Sequence, residues 1–288
     1  MRKISFLIYT FLSLVDKFFN KIFNRSFLIF FSEFINEDFY LKKKINEKEI
    51  SFFIPNSIIK WRVDTLFSKE PETIEWIDNF KMQSNRQIIF WDIGANIGIY
   101  SLYAACKHKN IKIYSFEPSS SNLRVLSRNI SINNFSDKIN ISQFPLSDKN
   151  YGFSNMNEPQ FKEGWAMNTF GIPIDYKGDK FKVHQKYNIF GFSIDFILSN
   201  NFIEVPNYIK IDVDSIEDKI IEGGINHLNH DDLKSISIEL NENYSKQYNN
   251  VINSMKKLGL VFKQKKHAKI YDNDDRFSNL YNYVFEKK

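Results

Sequence analysis

At 288 residues the chain has room for one α/β domain with an extension, or for two small domains. Hydrophobic residues make up 43% and aromatics 16%, enough for a large core, and a single cysteine, Cys106, excludes internal disulfides and any cysteine-based zinc site. A formal net charge of +5 on lysines that cluster only at 42–44 and 263–266 excludes the concentrated basic face of a nucleic-acid binder. The profile is that of a cytoplasmic enzyme with no nucleic-acid partner.

Residues 1–35 form a separate amphipathic segment. Ile4, Leu7, Ile8, Phe11, Leu12, Val15, Phe18, Phe19, Ile22 and Phe23 follow helical spacing and make one apolar stripe, with Ser13, Lys17, Asn20, Lys21 and Asn24 opposite. The uncharged run Ile4–Val15 falls short of the roughly 20 apolar residues that span a bilayer. Asp16 to Phe19 lacks the small residues of a signal-peptidase site. Two readings stand: a helix packed on its own domain or on a second subunit, or an interfacial helix whose residues 4–25 touch the inner membrane face.

Residues 36–87 read as a cap and lead-in. Ile50–Ile54, closed by Pro55, is an edge strand or hairpin arm. Glu72–Phe80 has helical spacing at Ile74, Ile77 and Phe80 behind a turn at Pro71.

The main domain is read as 88–288. Ile88–Ile93 is an apolar run holding one acid, Asp92, as in a strand buried on both faces. Gly94 and Gly98 follow, the first allowing a sharp turn and close approach to a ligand, the second opening a helix to about His108. Ile111–Phe116 is a second strand, and Glu117 sits about 20 residues beyond the glycine loop, where a ribose-binding carboxylate belongs. A helix starting in Ser119–Ser121 carries Leu123, Leu126 and Ile130, and Ile139–Phe144 is a third strand. Pro145–Asn188 is an irregular insertion, taken with its flank as about 145–190. A short helix, Ser193–Asn201, follows it. Tyr208–Val213 is strand four, followed by a helix bearing Ile216, Ile220 and Leu228. Leu233–Leu240 is strand five, followed by a helix from Tyr244 to Leu258. Val261–Gln264 and Tyr281–Phe285 close the sheet as an antiparallel pair.

The loop D-x-G-x-N-x-G resembles motif I of S-adenosylmethionine-dependent methyltransferases rather than a dinucleotide fingerprint. From about Pro71 onward the chain resembles the FkbM methyltransferase family. The match is carried by WDIGANIGIYSLYAA (Trp91–Ala105), FEPSSSNL (Phe116–Leu123), PLSD (Pro145–Asp148) and YIKIDVDSIEDKIIEGG (Tyr208–Gly224). The family pattern has glycine where this chain has Ser215, and often glutamate where it has Asp214. The resemblance implies a Rossmann-like class I methyltransferase fold: a seven-stranded, mostly parallel sheet with an antiparallel closing strand, here with an N-terminal helical extension. It implies S-adenosylmethionine as co-substrate and O-methylation of a hydroxyl on a sugar, glycan or natural-product precursor. The alternative is a non-catalytic methyltransferase-fold scaffold, for which Ser215 is the only support.

Residue chemistry assigns the parts of that ligand. Asp92 faces the methionyl ammonium, the amides of Gly94, Asn96 and Gly98 suit its carboxylate, and Glu117 offers two acceptors to the ribose diol. Leu146 packs on the adenine, whose amine Ser147 and Asp148 reach. For Asp92 the competing reading is a structural buried acid, and for Asp148 a solvated turn residue.

On strand four Lys210 and Asp212 alternate onto one face, where charge is costly unless paired. Asp212 is read as the general base for the acceptor hydroxyl, with Lys210 tuning it; a purely structural Lys210–Asp212 pair is the alternative. Asp214, Glu217 and Glu239 cluster near this edge as substrate-binding groups. The acceptor pocket is expected in Pro145–Asn188, where Trp165, Asn168, Tyr176 and Tyr187 offer stacking faces and polar edges. No metal is expected; an Mg²⁺ held by Asp212, Glu239 and Asn241 is the minority reading. His267, in the closing hairpin, is read as a surface histidine.

Overall fold

The computed structural model describes residues 2–81, 86–272 and 274–287, and within these the side chains of all but 36–38 and 270. The amphipathic spacing at the start produces helix α1 (Arg2–Phe23), and the chain turns through Asn24 into α2 (Leu28–Asp38). Asp16 fixes that turn: its carboxylate accepts from Ser26 Oγ at 2.8 Å and from the N–H groups of Phe27 and Leu28 at 2.7 and 3.1 Å. No residue of α1 is buried, so its apolar stripe is not covered by the chain's own domain.

Strands β1 (Tyr40–Ile45) and β2 (Lys48–Phe53) form an antiparallel hairpin, which settles Ile50–Ile54 as a hairpin arm. Helix α3 (Ser57–Asp64) is capped by Asn56, whose side chain accepts from the N–H groups of Ile58 and Ile59. Helix α4 (Pro71–Asp78) begins on Pro71, whose missing donor costs nothing in a first turn. Phe52, Ile59, Val63, Trp76 and Ile77 from these elements share one core with Phe90 and Leu102, so residues 36–80 build a wall of the main domain.

The alternation expected beyond residue 88 is present. Strand β3 (Ile88–Ile93) leads to α5 (Ile99–Lys107), β4 (Ile111–Phe116), α6 (Ser120–Ile132) and β5 (Ile139–Ser142), which ends before Phe144. The insertion is not irregular. It holds an antiparallel sheet of β6 (Tyr151–Glu158), β7 (Thr169–Phe170) and β8 (Gln185–Phe192), in the order β7-β6-β8. The alternation along β6 and β8 was hidden in the sequence because aromatics stand where polar residues mark an exposed face: Phe153 and its cross-strand partner Phe190 pack edge to face on one side of the sheet. Helix α7 (Ile194–Ser199) is capped by Ser193.

Then come β9 (Tyr208–Ile211), α8 (Glu217–Glu222), β10 (Ser235–Asn241), α9 (Ser245–Lys257), β11 (Leu260–Lys266) and β12 (Leu280–Lys287). Helix α8 is a single short turn, and Leu228 is buried beyond its end. The main sheet has seven strands in the order β11-β12-β10-β9-β3-β4-β5. It is parallel from β10 to β5, and β12 runs antiparallel to both of its neighbours. Successive strands progress to one side from β3 and to the other from β9. A crevice therefore opens between them at the strands' carboxyl ends, where open α/β sheets bind ligands.

Candidate functional site

The crevice holds a cleft of about 580 Å³, walled by the glycine loop, the end of β4, the 144–146 turn and the 165–168 loop. Gly94 lies at φ +85°, and a Cβ there would stand 1.8 Å from the carbonyl oxygen of Asp212. Gly98, at φ +84°, leads into α5 and faces Leu126. Both positions need glycine, one for contact between two backbones and one for helix packing.

Glu117 lines this cleft and is 5% exposed. Its Oε2 accepts from Asn96 N–H at 2.7 Å and its Oε1 from Ser119 N–H at 2.8 Å. Burial pushes its carboxyl up to about 8 against those two donors. Asn96 sits in the left-handed region and donates through Nδ2 to the carbonyl of Trp165 at 3.0 Å. Leu146, Trp165 and Asn168 also line the cleft, and Phe144 and Met156 extend its apolar wall. Asn96 Oδ1, Trp165 Nε1 and Asn168 Oδ1 are buried without a protein partner. Unmet polar atoms of this kind are costly, so a cleft lined by them suits a polar ligand.

Several expected ligand contacts lie elsewhere. Asp92 points behind the glycine loop, where Ser101 Oγ donates to it at 2.6 Å; burial raises its carboxyl, opposed by the Lys210 charge. Ser147 is buried away from the cleft lining, Asp148 is exposed, and Tyr187 bonds to Glu158 Oε1 at 3.1 Å. Ser215 does not line the cleft either, so its side chain narrows nothing. The left-handed residue in this loop is Asp214, at φ 66°. Sequence reasoning missed Asn122, which accepts from Gly164 N–H at 2.8 Å and donates to the Trp165 carbonyl at 3.2 Å, holding the 164–168 loop. Nothing in a single asparagine on an amphipathic helix signals that role.

Asp212 lies where this cleft meets a second, larger cavity of about 1110 Å³. Lys210, only 1% exposed, donates to Asp212 Oδ2 at 2.6 Å and lies 4.9 Å from the centre of the Tyr100 ring. Burial alone would lower the Lys210 ammonium, but the carboxylates of Asp212, Glu70 and Asp92 hold it above its usual value. Carboxylate oxygens of Glu70, Asp212 and Glu239 come within 4.8 Å of one another. Despite burial, Lys69 and Lys210 pull Glu70 down to about 2. Burial, then the charges of Asp212 and Glu70, push Glu239 well up. Asp214 accepts from Met167 N–H at 2.7 Å and is pushed up to about 6 by burial and by Asp212.

The second cavity is built mostly from outside residues 145–188, where the acceptor pocket was expected, while Trp165 and Asn168 of that segment line the first cleft. Of that segment only Ala166 lines the second cavity. Trp61, Arg62, Lys69, Glu70 and Glu72 line one side, residues between His267 and Asn282 another, and the glycine loop, Asp212, Asp214 and Glu239 the floor between them. Tyr176 stacks on Phe277 at its margin rather than lining it. Glu217 faces away, accepting from Val213 N–H at 3.1 Å and from Gln247 Nε2 at 2.6 Å. Asn241 also turns away, to Asn243 N–H, and Glu70 stands in its place beside Asp212 and Glu239. His267 is no surface residue. The closing strands fold it over the cavity, where Nε2 meets Asp272 at 2.9 Å and Nδ1 the Leu280 carbonyl at 3.1 Å.

This strand order, with a glycine loop after β3 and a carboxylate after β4, defines the class I methyltransferase fold. Residues 92–262, more than half of the chain, match the methyltransferase FkbM domain, and the chain belongs to that family. Methyltransferase sdnD of Sordaria araneosa is 39% identical over 79 residues, 27% of this chain, which spans 30% of the length of that relative. Among solved structures, Aeropyrum pernix fibrillarin in complex with S-adenosyl-L-methionine aligns with a TM-score of 0.45 at 8% identity, over 85% of this chain and 82% of that one. The M. capricolum protein TrmK in complex with S-adenosyl-homocysteine aligns with a TM-score of 0.43 at 12% identity, over 75% and 67%.

Proposed function

We propose that the chain is an S-adenosylmethionine-dependent O-methyltransferase whose acceptor is a hydroxyl of a polyhydroxylated molecule, such as a sugar, a glycan or a natural-product precursor. The observation that carries the reading is the cleft beside Glu117. It joins a buried ribose-type carboxylate, a backbone-lined glycine loop and three unpartnered polar groups at the switch point of the sheet. Those residues fit the co-substrate: Glu117 retains lone pairs for a ribose diol, Leu146 and Phe144 offer an apolar wall to a base, and Gly94 leaves room beside the loop. When bound, S-adenosylmethionine supplies a methyl group activated on a sulfonium.

The larger cavity is the acceptor side in this reading. Trp61, Tyr271 and Phe277 supply stacking faces, and Glu72 and Glu239 supply acceptors for hydroxyl groups. Asp212 stands at the junction, where its carboxylate is placed to take the proton of an acceptor hydroxyl. Lys210 holds that carboxylate in place. No step requires a metal, and the Glu70–Asp212–Glu239 group is already neutralised in part by Lys69 and Lys210.

Calorimetric titration with S-adenosylmethionine tests the reading. Binding in the micromolar range, about −8 kcal/mol, is expected. Absence of binding to folded protein returns the chain to the scaffold alternative. Transfer of a labelled methyl group to members of a panel of hydroxylated acceptors then identifies the acceptor.

A further inference from the structure

Helix α1 leaves most of its apolar face uncovered, with Leu12 alone of the stripe half-buried. Leu7, Phe11 and Phe18 are 68%, 66% and 67% exposed, and on α2 Phe34 is 66% exposed. Asp16 and the Phe19–Phe27 ring contact brace the two helices against each other, so they present these residues as one preformed unit. Lys3 and Lys21 are 18 residues apart, about five helical turns, so they align on the helix surface, with Lys17 within a residue's rotation of them. That row borders the apolar stripe. Arg2 and Arg25 add charge at the two ends of α1, and its only acid, Asp16, is engaged in the turn.

We propose that the α1–α2 unit docks the enzyme on an anionic lipid surface, the apolar stripe entering the headgroup boundary and the lysine row meeting the lipid charge. The unit lies on the membrane rather than crossing it, since among the described residues no helix is long and apolar enough to span. A second copy of the chain is the poorer occupant, because it would bring the lysine row against its own image. This inference does not depend on the identity of the methyl acceptor.

Flotation of the full-length protein tests it, using vesicles of phosphatidylcholine alone and of phosphatidylcholine mixed with phosphatidylglycerol. The protein is expected to float with the mixed vesicles. Lys17→Ala with Lys21→Ala lowers partitioning by about 30-fold, roughly fivefold per basic residue. Phe11→Asp with Phe18→Asp abolishes flotation. All four positions are exposed, so melting temperatures stay at the parent value. Failure to float overturns the proposal, as does equal flotation on neutral and mixed vesicles. A dimer by light scattering that does not float, and that the two aspartates dissolve, assigns the face to a second copy instead.

Discussion

The two halves of the crevice solve opposite problems. The Glu117 half is built mainly from backbone: Asn96 and Ser119 amides hold the carboxylate, and apolar side chains form the wall. The larger half is crowded with side-chain charge, where Glu70, Asp212 and Glu239 meet around Lys69 and Lys210. Backbone geometry suits a ligand that never varies. A charged, adjustable surface suits the variable partner of a reaction.

The sharpest way to break this contrast is at Gly94, where the halves touch. Gly94→Ala places a methyl group against the Asp212 carbonyl at a positive φ. It is expected to destabilise the protein by about 2 kcal/mol or more and to remove measurable co-substrate binding, read by denaturant titration and calorimetry. Unchanged binding would mean that the two loops move apart freely.

Asp212→Asn removes a charge from the wall where the two halves meet. Turnover should fall by about 10² or more with co-substrate affinity little changed, and a chelator should leave activity intact. Activity lost to EDTA and restored by Mg²⁺ would instead make Glu70, Asp212 and Glu239 metal ligands. Glu117→Ala acts within the backbone-built half. Losing two hydrogen bonds, each worth about 0.5–1.5 kcal/mol, should weaken co-substrate binding about tenfold while leaving acceptor selectivity unchanged.

The smallest effect concerns Glu217, which supports the Asp212–Asp214 loop from behind. Burial, opposed by its backbone N–H donors, raises its carboxyl from 4.5 to about 8. The unfolded chain releases this proton above about pH 4.5 and the folded chain retains it to about pH 8, so folding stability falls as pH rises across that window. Glu217→Gln should flatten that fall, read as urea midpoints at the two ends of the window. An unaltered slope would show that Glu217 is ionised in the folded protein.

The halves also differed in how far the sequence disclosed them. Gly94, Asn96, Glu117 and Leu146 fall within short motifs, each next to a strand end, so their meeting in one cleft was legible. The sheet was legible for the same reason, from buried runs such as Ile88–Ile93. Asp92 was expected to face the methionyl ammonium; a strand residue before a glycine loop can face either layer, and here Ser101 donates to one of its two oxygens. The larger cavity was not legible. Glu70, Glu239 and His267 lie far apart in the chain, and only the closing strands bring them together. The β6–β8 sheet was lost because Tyr151, Phe153 and Phe190 gather on one face and leave it partly exposed, where polar residues would have shown the alternation.

The contact between Gly94 and Asp212 has a consequence for reach. A displacement reaction tolerates little error in the spacing of donor, methyl carbon and acceptor. In the proposed reaction the glycine loop would lie on the donor side, and it rests directly on the peptide unit of Asp212, the proposed base. The distance between the two sides is therefore gauged by a missing side chain. Under the proposed function, altering the charged wall would change which acceptor fits while leaving that gauge untouched.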